Sequence, residues 1–139
     1  MSYEEKRTWV YLLASGGAYV VYLAIVVGRV VHTPVAHVPY VAALLWTCVG
    51  SMIASTVGHT VFESASPSDS RRADVRDRDI SRFGDHVSRW FVIGGAAAAL
   101  LMAMARWEYF WIANVIYLGF VLWAVVGSAV KLVAYRRGM

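Results

Sequence analysis

Apolar and polar residues alternate along this chain in long blocks. Four apolar runs, at about residues 8–28, 40–62, 87–105 and 110–133, are separated by shorter polar segments. At ~1.5 Å per residue, a helical run of roughly 20 residues crosses the ~30 Å hydrocarbon core of a bilayer. The pattern predicts an all-α fold, a four-helix transmembrane bundle that forms a single integral membrane domain over residues 1–139.

The second polar segment is much longer than the other two, and it joins two helical hairpins. This connector, residues 64–89, begins with Pro67 among serines, which indicates a loop. From about Ala73 its apolar residues, Ile80 among them, recur at three- and four-residue spacing. We therefore expect a charged, amphipathic helix that lies on the cytoplasmic membrane surface and continues into the third span.

The polar sides of this predicted helix carry alternating Arg and Asp side chains. Such a face suits either lipid headgroups or a cytoplasmic protein partner, and the two uses are compatible. The segment expected to make these contacts comprises Arg76, Asp77, Arg78, Asp79, Ile80, Arg82 and Phe83.

The distribution of basic residues predicts the orientation. The chain is 59% hydrophobic with a formal net charge of +4. Of its 13 Lys and Arg residues, all but Arg29 and Arg106 lie in the N-terminal segment, the connector or the C-terminal end. The positive-inside rule then places both termini and the connector in the cytoplasm. Topology accounts for the basic residues, so we expect no direct contact with nucleic acid.

The second span holds the one candidate polar site. Its polar residues recur every four positions, so they wind slowly along one side of the helix. The site residues are Ser51, Ser55, His59 and Glu63. We expect Glu63 to accept a hydrogen bond from His59 one turn away. The pair either fixes the second span against its neighbours or responds to a proton or ligand and acts on the connector.

Small residues predict close packing of the second and third spans. Gly50, Ala54 and Gly58 form a ridge beside the polar stripe, and Gly94 and Gly95 open an alanine-rich stretch. Small residues let membrane helices approach closely. We expect these surfaces to face the bundle interior or a second copy of the chain.

Three polar side chains inside the other spans need hydrogen-bond partners. Tyr19 and Tyr22 lie near the middle of the first span, and Asn114 lies one turn into the fourth. A polar group in hydrocarbon is costly without a partner, so we expect the tyrosines to face the bundle and Asn114 to be hydrogen bonded.

The chain lacks the motifs of common enzymes. We find no glycine-rich phosphate loop, no metalloprotease motif and no nucleophile elbow, and Cys48 is the single cysteine. We therefore expect a non-enzymatic membrane protein with no catalytic residue, cofactor or metal, which is oligomeric or binds a partner. The alternatives are a small oligomeric transporter or channel, and a haem- or metal-binding redox protein that uses His59.

The stretch Asp74-Val75-Arg76-Asp77-Arg78-Asp79-Ile80 resembles the Asp-Glu-Arg-Asp-x-x-Ile motif of a family of small, uncharacterised four-span bacterial membrane proteins. Val75 stands where that motif has Glu. The resemblance covers roughly residues 58–138, including Phe110-Trp111-Ile112-Ala113-Asn114. Some members of the family are encoded beside helix-turn-helix regulators. The resemblance implies a location in the bacterial inner membrane and a regulatory partner.

Overall fold

The computed structural model describes residues 3–65 and 75–138. Within these residues the chain forms four long helices, α1 (Tyr3–Val30), α2 (Val41–Ala65), α3 (Val75–Met104) and α4 (Tyr109–Arg137), with a short 3₁₀ turn at Val35–His37. All four helices are long and apolar enough to cross a membrane. The prediction of an all-α, four-helix transmembrane bundle is confirmed. The start of the connector, residues 66–74, lies outside the described residues.

Prolines separate α1 from α2, and a glycine ends α4. Pro34 and Pro39 lie between α1 and α2, and a proline inside a helix removes a backbone donor and clashes with the preceding turn. At the other end of the chain, Gly138 adopts a left-handed conformation with φ of 73° and its N–H donates to the carbonyl of Ala134. Glycine takes this conformation without steric cost, so it ends α4 cleanly.

The helices pack in the order α2, α1, α4, α3. The most extensive contact joins α3 to α4, and α1 contacts both α2 and α4. Each helix runs in the opposite direction to the one before it in the chain, so two helices begin and two helices finish at each end of the bundle. We call the end where α1 and α3 begin and α2 and α4 finish the terminal end, and the opposite end, with residues 31–40 and 105–108, the turn end.

The buried core lies toward the turn end and is built on tyrosines. Tyr22 is fully buried, and its hydroxyl donates to the Asn114 side-chain oxygen at 2.7 Å. The amide of Asn114 donates to the carbonyl of Phe110 at 2.7 Å. The rings of Tyr19, Tyr22 and Tyr117 pack against one another. The expectations for these residues are confirmed, since both tyrosine rings pack toward the bundle and the Asn114 side chain is hydrogen bonded.

Paired glycines bring α3 against α4. A Cβ atom added at Gly95 would lie 3.2 Å from the Cα of Gly119, and one added at Gly127 would lie 2.9 Å from the Ser88 Oγ. Near the terminal end, a Cβ at Gly84 would lie 2.6 Å from the Lys131 Cγ. Three close contacts at glycines therefore join α3 to α4 along one line, as is usual for membrane helices that pack closely.

The small-residue ridge of α2 faces the bundle only at one end. Gly58 packs on Val10 of α1, whereas Gly50 has no atom within 4 Å of an added Cβ and Ala54 is exposed. On α3, Gly94 is also open while Gly95 contacts α4. Gly58 and Gly95 therefore contribute to helix packing within the bundle. Gly50, Ala54 and Gly94 face outward from this single chain.

Candidate functional site

The serines of the predicted polar stripe face the bundle, but they do not form a continuous polar track. Ser51 donates to the carbonyl of Cys48 at 2.9 Å, and Ser55 donates to the carbonyl of Ser51 at 2.7 Å. One turn earlier, Thr47 bonds its own helix and lies 3.1 Å from the Tyr117 hydroxyl. Hydroxyls that return to their own backbone satisfy themselves inside a packed helix face. This part of the stripe therefore serves packing.

His59 lies between α2 and α1 and contacts an arginine. The Nε of Arg7 donates to the His59 Nδ1 at 3.3 Å. Arginine is only a donor, so the neutral imidazole that accepts this bond carries its own proton on Nε2. The Nε2 atom is buried and has no hydrogen-bond partner in residues 3–65 and 75–138. His59 therefore offers an unused donor at the terminal end of the bundle.

The expected hydrogen bond between His59 and Glu63 is wrong. Glu63 is exposed in the last turn of α2, and its charge acts on both the Tyr3 hydroxyl and the imidazole, but among the described residues it makes no hydrogen bond to the ring. The reason is that α1 comes close to α2 here, through Gly58 and Val10, and brings Arg7 to the ring first. The structure brings Ser51, Ser55 and His59 to the inner side of α2 and leaves Glu63 outside.

An open cavity of about 330 Å³ lies beside His59, and all four helices contribute to its wall. Its size suits a small ligand rather than a whole lipid. The polar side chains that line it include Arg7, Tyr11, His59, Asp85, Lys131 and Tyr135. Only His59 belongs to the site that the sequence predicted.

Asp85 and Lys131 form a close ion pair in the cavity wall. The Nζ of Lys131 lies 2.8 Å from the Asp85 Oδ1, and the lysine side chain is about one-fifth exposed. Spacing along the sequence favours a pair between Asp85 and Arg89, one turn apart on the same helix, but the Asp85 carboxylate contacts Lys131 of α4 instead. Gly84 makes it possible, because the stem of Lys131 crosses α3 where any side chain would block it.

The Arg/Asp segment forms the first turns of α3 and is continuous with the third span. Arg76, Arg78, Asp79, Arg82 and Phe83 are exposed. On the opposite side, Ile80 is buried at 5% exposure and Asp77 is half-buried beside the Tyr135 hydroxyl. A helix is confirmed from Val75 onward, but it forms one unbroken element with the third span and does not lie along the membrane surface as expected. The loop with Pro67 and the predicted helix start at Ala73 lie outside the described residues.

Residues 3–65 and 75–138 contain no group of three or more His, Cys, Asp or Glu side chains placed to hold a metal ion. The side chain hydrogen bonded to His59, the residue on which a haem or metal site would depend, is Arg7, and a guanidinium is not a metal ligand.

The chain matches no protein-family model, no curated protein and no solved structure.

Proposed function

We propose that this integral membrane protein is non-enzymatic and binds a cytoplasmic protein partner through the exposed Arg/Asp face at the start of α3. The observation that carries the proposal is that α3 is one unbroken helix of 30 residues. At ~1.5 Å per residue it is about 45 Å long, against a hydrocarbon core of ~30 Å. Roughly ten residues, those with the Arg/Asp pattern, then extend beyond the core.

The extension is held by the bundle, which supports a role as a fixed docking surface. Ile80 is buried, Gly84 packs under the Lys131 stem, and Asp85 is paired with the Lys131 ammonium. A helix anchored along one side presents its other side in a fixed orientation. Binding of a partner then does not cost the conformational entropy of ordering this helix.

The distribution of charge supports a cytoplasmic orientation in a bacterial inner membrane. The terminal end carries Lys6, Arg7, Lys131, Arg136 and Arg137 in addition to the arginines of α3, whereas the turn end carries only Arg29 and Arg106. Under the positive-inside rule the terminal end is cytoplasmic, and a protein partner would reach α3 from that side.

Site-specific photo-cross-linking in native membranes tests the proposal. A photoreactive amino acid at Arg82 or Phe83 should give one discrete protein adduct, and the same amino acid at Leu101, exposed at the other end of α3, should not. Replacing Arg78 with Glu should abolish the adduct formed at position 83. Replacing Arg136, an exposed arginine on α4, with Glu is the matched control and should leave it intact.

Two results would contradict partner binding by α3. If positions 82 and 83 give only the adducts that position 101 gives, or if both charge reversals act alike, α3 has no specific protein partner.

A further inference from the structure

We propose that the cavity among the four helices is a binding site for a small phosphate-bearing oxyanion, held by the His59 Nε2 and the Arg7 guanidinium. The proposal goes beyond partner binding by α3 and does not depend on it. It rests on an unused buried donor, an arginine oriented beside it, and a cavity of the right size and composition.

The first step is the state of His59. The Nδ1 accepts from Arg7, so the proton lies on Nε2, and this N–H is buried with no partner among the described residues. Buried donors in folded proteins almost always have an acceptor, because an unpaired one keeps its full desolvation cost. His59 lines the cavity. The N–H itself is closed to solvent, so an acceptor in the cavity would satisfy it once a small movement of the ring or of a wall side chain admits the ligand.

The second step is the geometry of Arg7. Its Nε is used by His59, and its closest carboxylate contact, from Nη1 to the Glu4 Oε1, is long at 3.9 Å. The bond to the imidazole therefore orients the guanidinium while leaving its Nη hydrogens for another acceptor. A planar guanidinium fork matches the oxygens of phosphate better than a point charge does.

The third step is the balance of the cavity wall. Asp85 is neutralised by Lys131, which leaves Glu4 as the carboxylate facing Arg7. Among the other polar wall groups, the hydroxyls of Tyr11, Ser81 and Ser128 can donate, whereas those of Thr8 and Tyr135 are bonded to the Glu4 carbonyl and the Asp77 carboxylate. A wall rich in donors favours a ligand rich in acceptors. The basic residues around the terminal end add a field that attracts anions.

Size and position limit the source of the phosphate. A volume of about 330 Å³ holds a phosphate or a phosphoglycerol group but not acyl chains. The cavity lies within the last turns of α2 and α4, at the depth where a bilayer's headgroups begin. The ligand is therefore either the headgroup of an anionic phospholipid or a soluble phosphate compound, and the chemistry that recognises both is the same.

Binding should be measured on the purified full chain in a phosphate-free neutral detergent. The two probes are inorganic phosphate and dihexanoyl phosphatidylglycerol, each followed by titration calorimetry. We expect saturable binding of at least one probe. Stronger binding of the short-chain lipid identifies a headgroup, and stronger binding of inorganic phosphate identifies a soluble compound.

Two histidine variants separate binding from structure. In His59→Gln the side-chain amide can donate near the Nε2 position, whereas in His59→Asn the amide reaches only the Nδ1 position and keeps the contact with Arg7. We expect His59→Gln to bind within about threefold of the parent and His59→Asn to lose about tenfold or more, the usual effect of removing a hydrogen bond to a charged group. A purely structural histidine would not distinguish them in this way.

Arg7→Gln should also lose about tenfold or more, whereas Arg136→Gln removes the same charge at the same end outside the cavity and should retain binding. Helicity and monodispersity of each variant establish that it is folded. The proposal is overturned if neither probe binds saturably, if Arg7→Gln and Arg136→Gln weaken binding equally, or if His59→Gln and His59→Asn behave alike.

Discussion

The close approach of α3 and α4 at Gly119 makes a sharp test of the fold. A Cβ atom added there would lie 3.1 Å from the carbonyl oxygen of Phe91 and 3.4 Å from the Cα of Gly95. Both are backbone atoms and cannot rotate away, so the longer side chain of Gly119→Leu must push the two helices apart. Gly94 is the matched control, because it lies on α3 with no atom within 4 Å of an added Cβ.

The size of the effect follows from comparing the two variants. Leucine at either position replaces a glycine within a helix, so the gain in helix propensity, up to ~1 kcal/mol, is similar and cancels in the comparison. What remains is the overpacking at Gly119, typically ~1–3 kcal/mol. We expect Gly119→Leu to have a free energy of unfolding lower than that of Gly94→Leu by about this amount.

The measurement is reversible unfolding in mixed micelles, with the loss of helicity followed by circular dichroism as denaturing detergent increases. The parent and both variants should be compared in the same micelles. A difference of less than about 0.5 kcal/mol between the unfolding free energies of the two leucine variants is no larger than the usual deviation for mutations at independent sites. Such a result would show that α3 and α4 do not meet at Gly119.

Three further outcomes are expected. Asn114→Leu should lower the unfolding free energy by about 1–3 kcal/mol because it leaves the fully buried Tyr22 hydroxyl without an acceptor, and adding Tyr22→Phe should recover part of the loss; additive losses in the double variant would argue against the bond. Ala54→Leu should leave the stability of a single chain unchanged since this position faces outward, so a loss of oligomer in cross-linking would identify an interface between copies, and a loss of monomer stability would contradict the packing. Reporter fusions at Val35 and Trp107 should both be periplasmic, and a cytoplasmic reading at either would refute the orientation.

Much of the fold could be predicted because hydrocarbon imposes a simple rule on sequence. A helix must present about 20 apolar residues to cross the bilayer, and each of the four runs does so. The predicted spans lie within the observed helices to within one residue, but three helices extend well beyond them: α1 begins at Tyr3, α3 at Val75, and α4 ends at Arg137. Periodicity predicted the extension of α3, but hydropathy does not detect those of α1 and α4, since charged residues outside the membrane can continue a helix without being apolar.

Which residues meet could be predicted less well, because periodicity defines the faces of a helix but not its neighbours. The spacing of Ser51, Ser55 and His59 indicated one side of α2, and that side does face the bundle. The sequence of α2 does not indicate that Arg7, 52 positions away in the chain, forms the hydrogen bond to His59 that was expected from Glu63. Likewise Lys131 pairs with Asp85 rather than leaving it to Arg89, because Gly84 opens a path across α3 that spacing along one helix cannot reveal.

The two ends of the bundle satisfy their polar groups differently, and the difference bears on function. Toward the turn end, Tyr22 and Asn114 are bonded to each other. The buried side-chain polar atoms that lack a partner among the described residues are the Tyr3 hydroxyl, the Trp9 Nε1 and the His59 Nε2, and all three lie at the terminal end. Unpaired buried donors cost stability, so a fold that could remove them and does not is consistent with a use for them. Of the three atoms only the His59 Nε2 belongs to a residue that lines the cavity. If no ligand used that donor, His59→Leu, which places an apolar residue of similar volume there, would raise the unfolding free energy while leaving phosphate binding unchanged. We expect the first effect without the second: a variant at least as stable as the parent that no longer binds the anion.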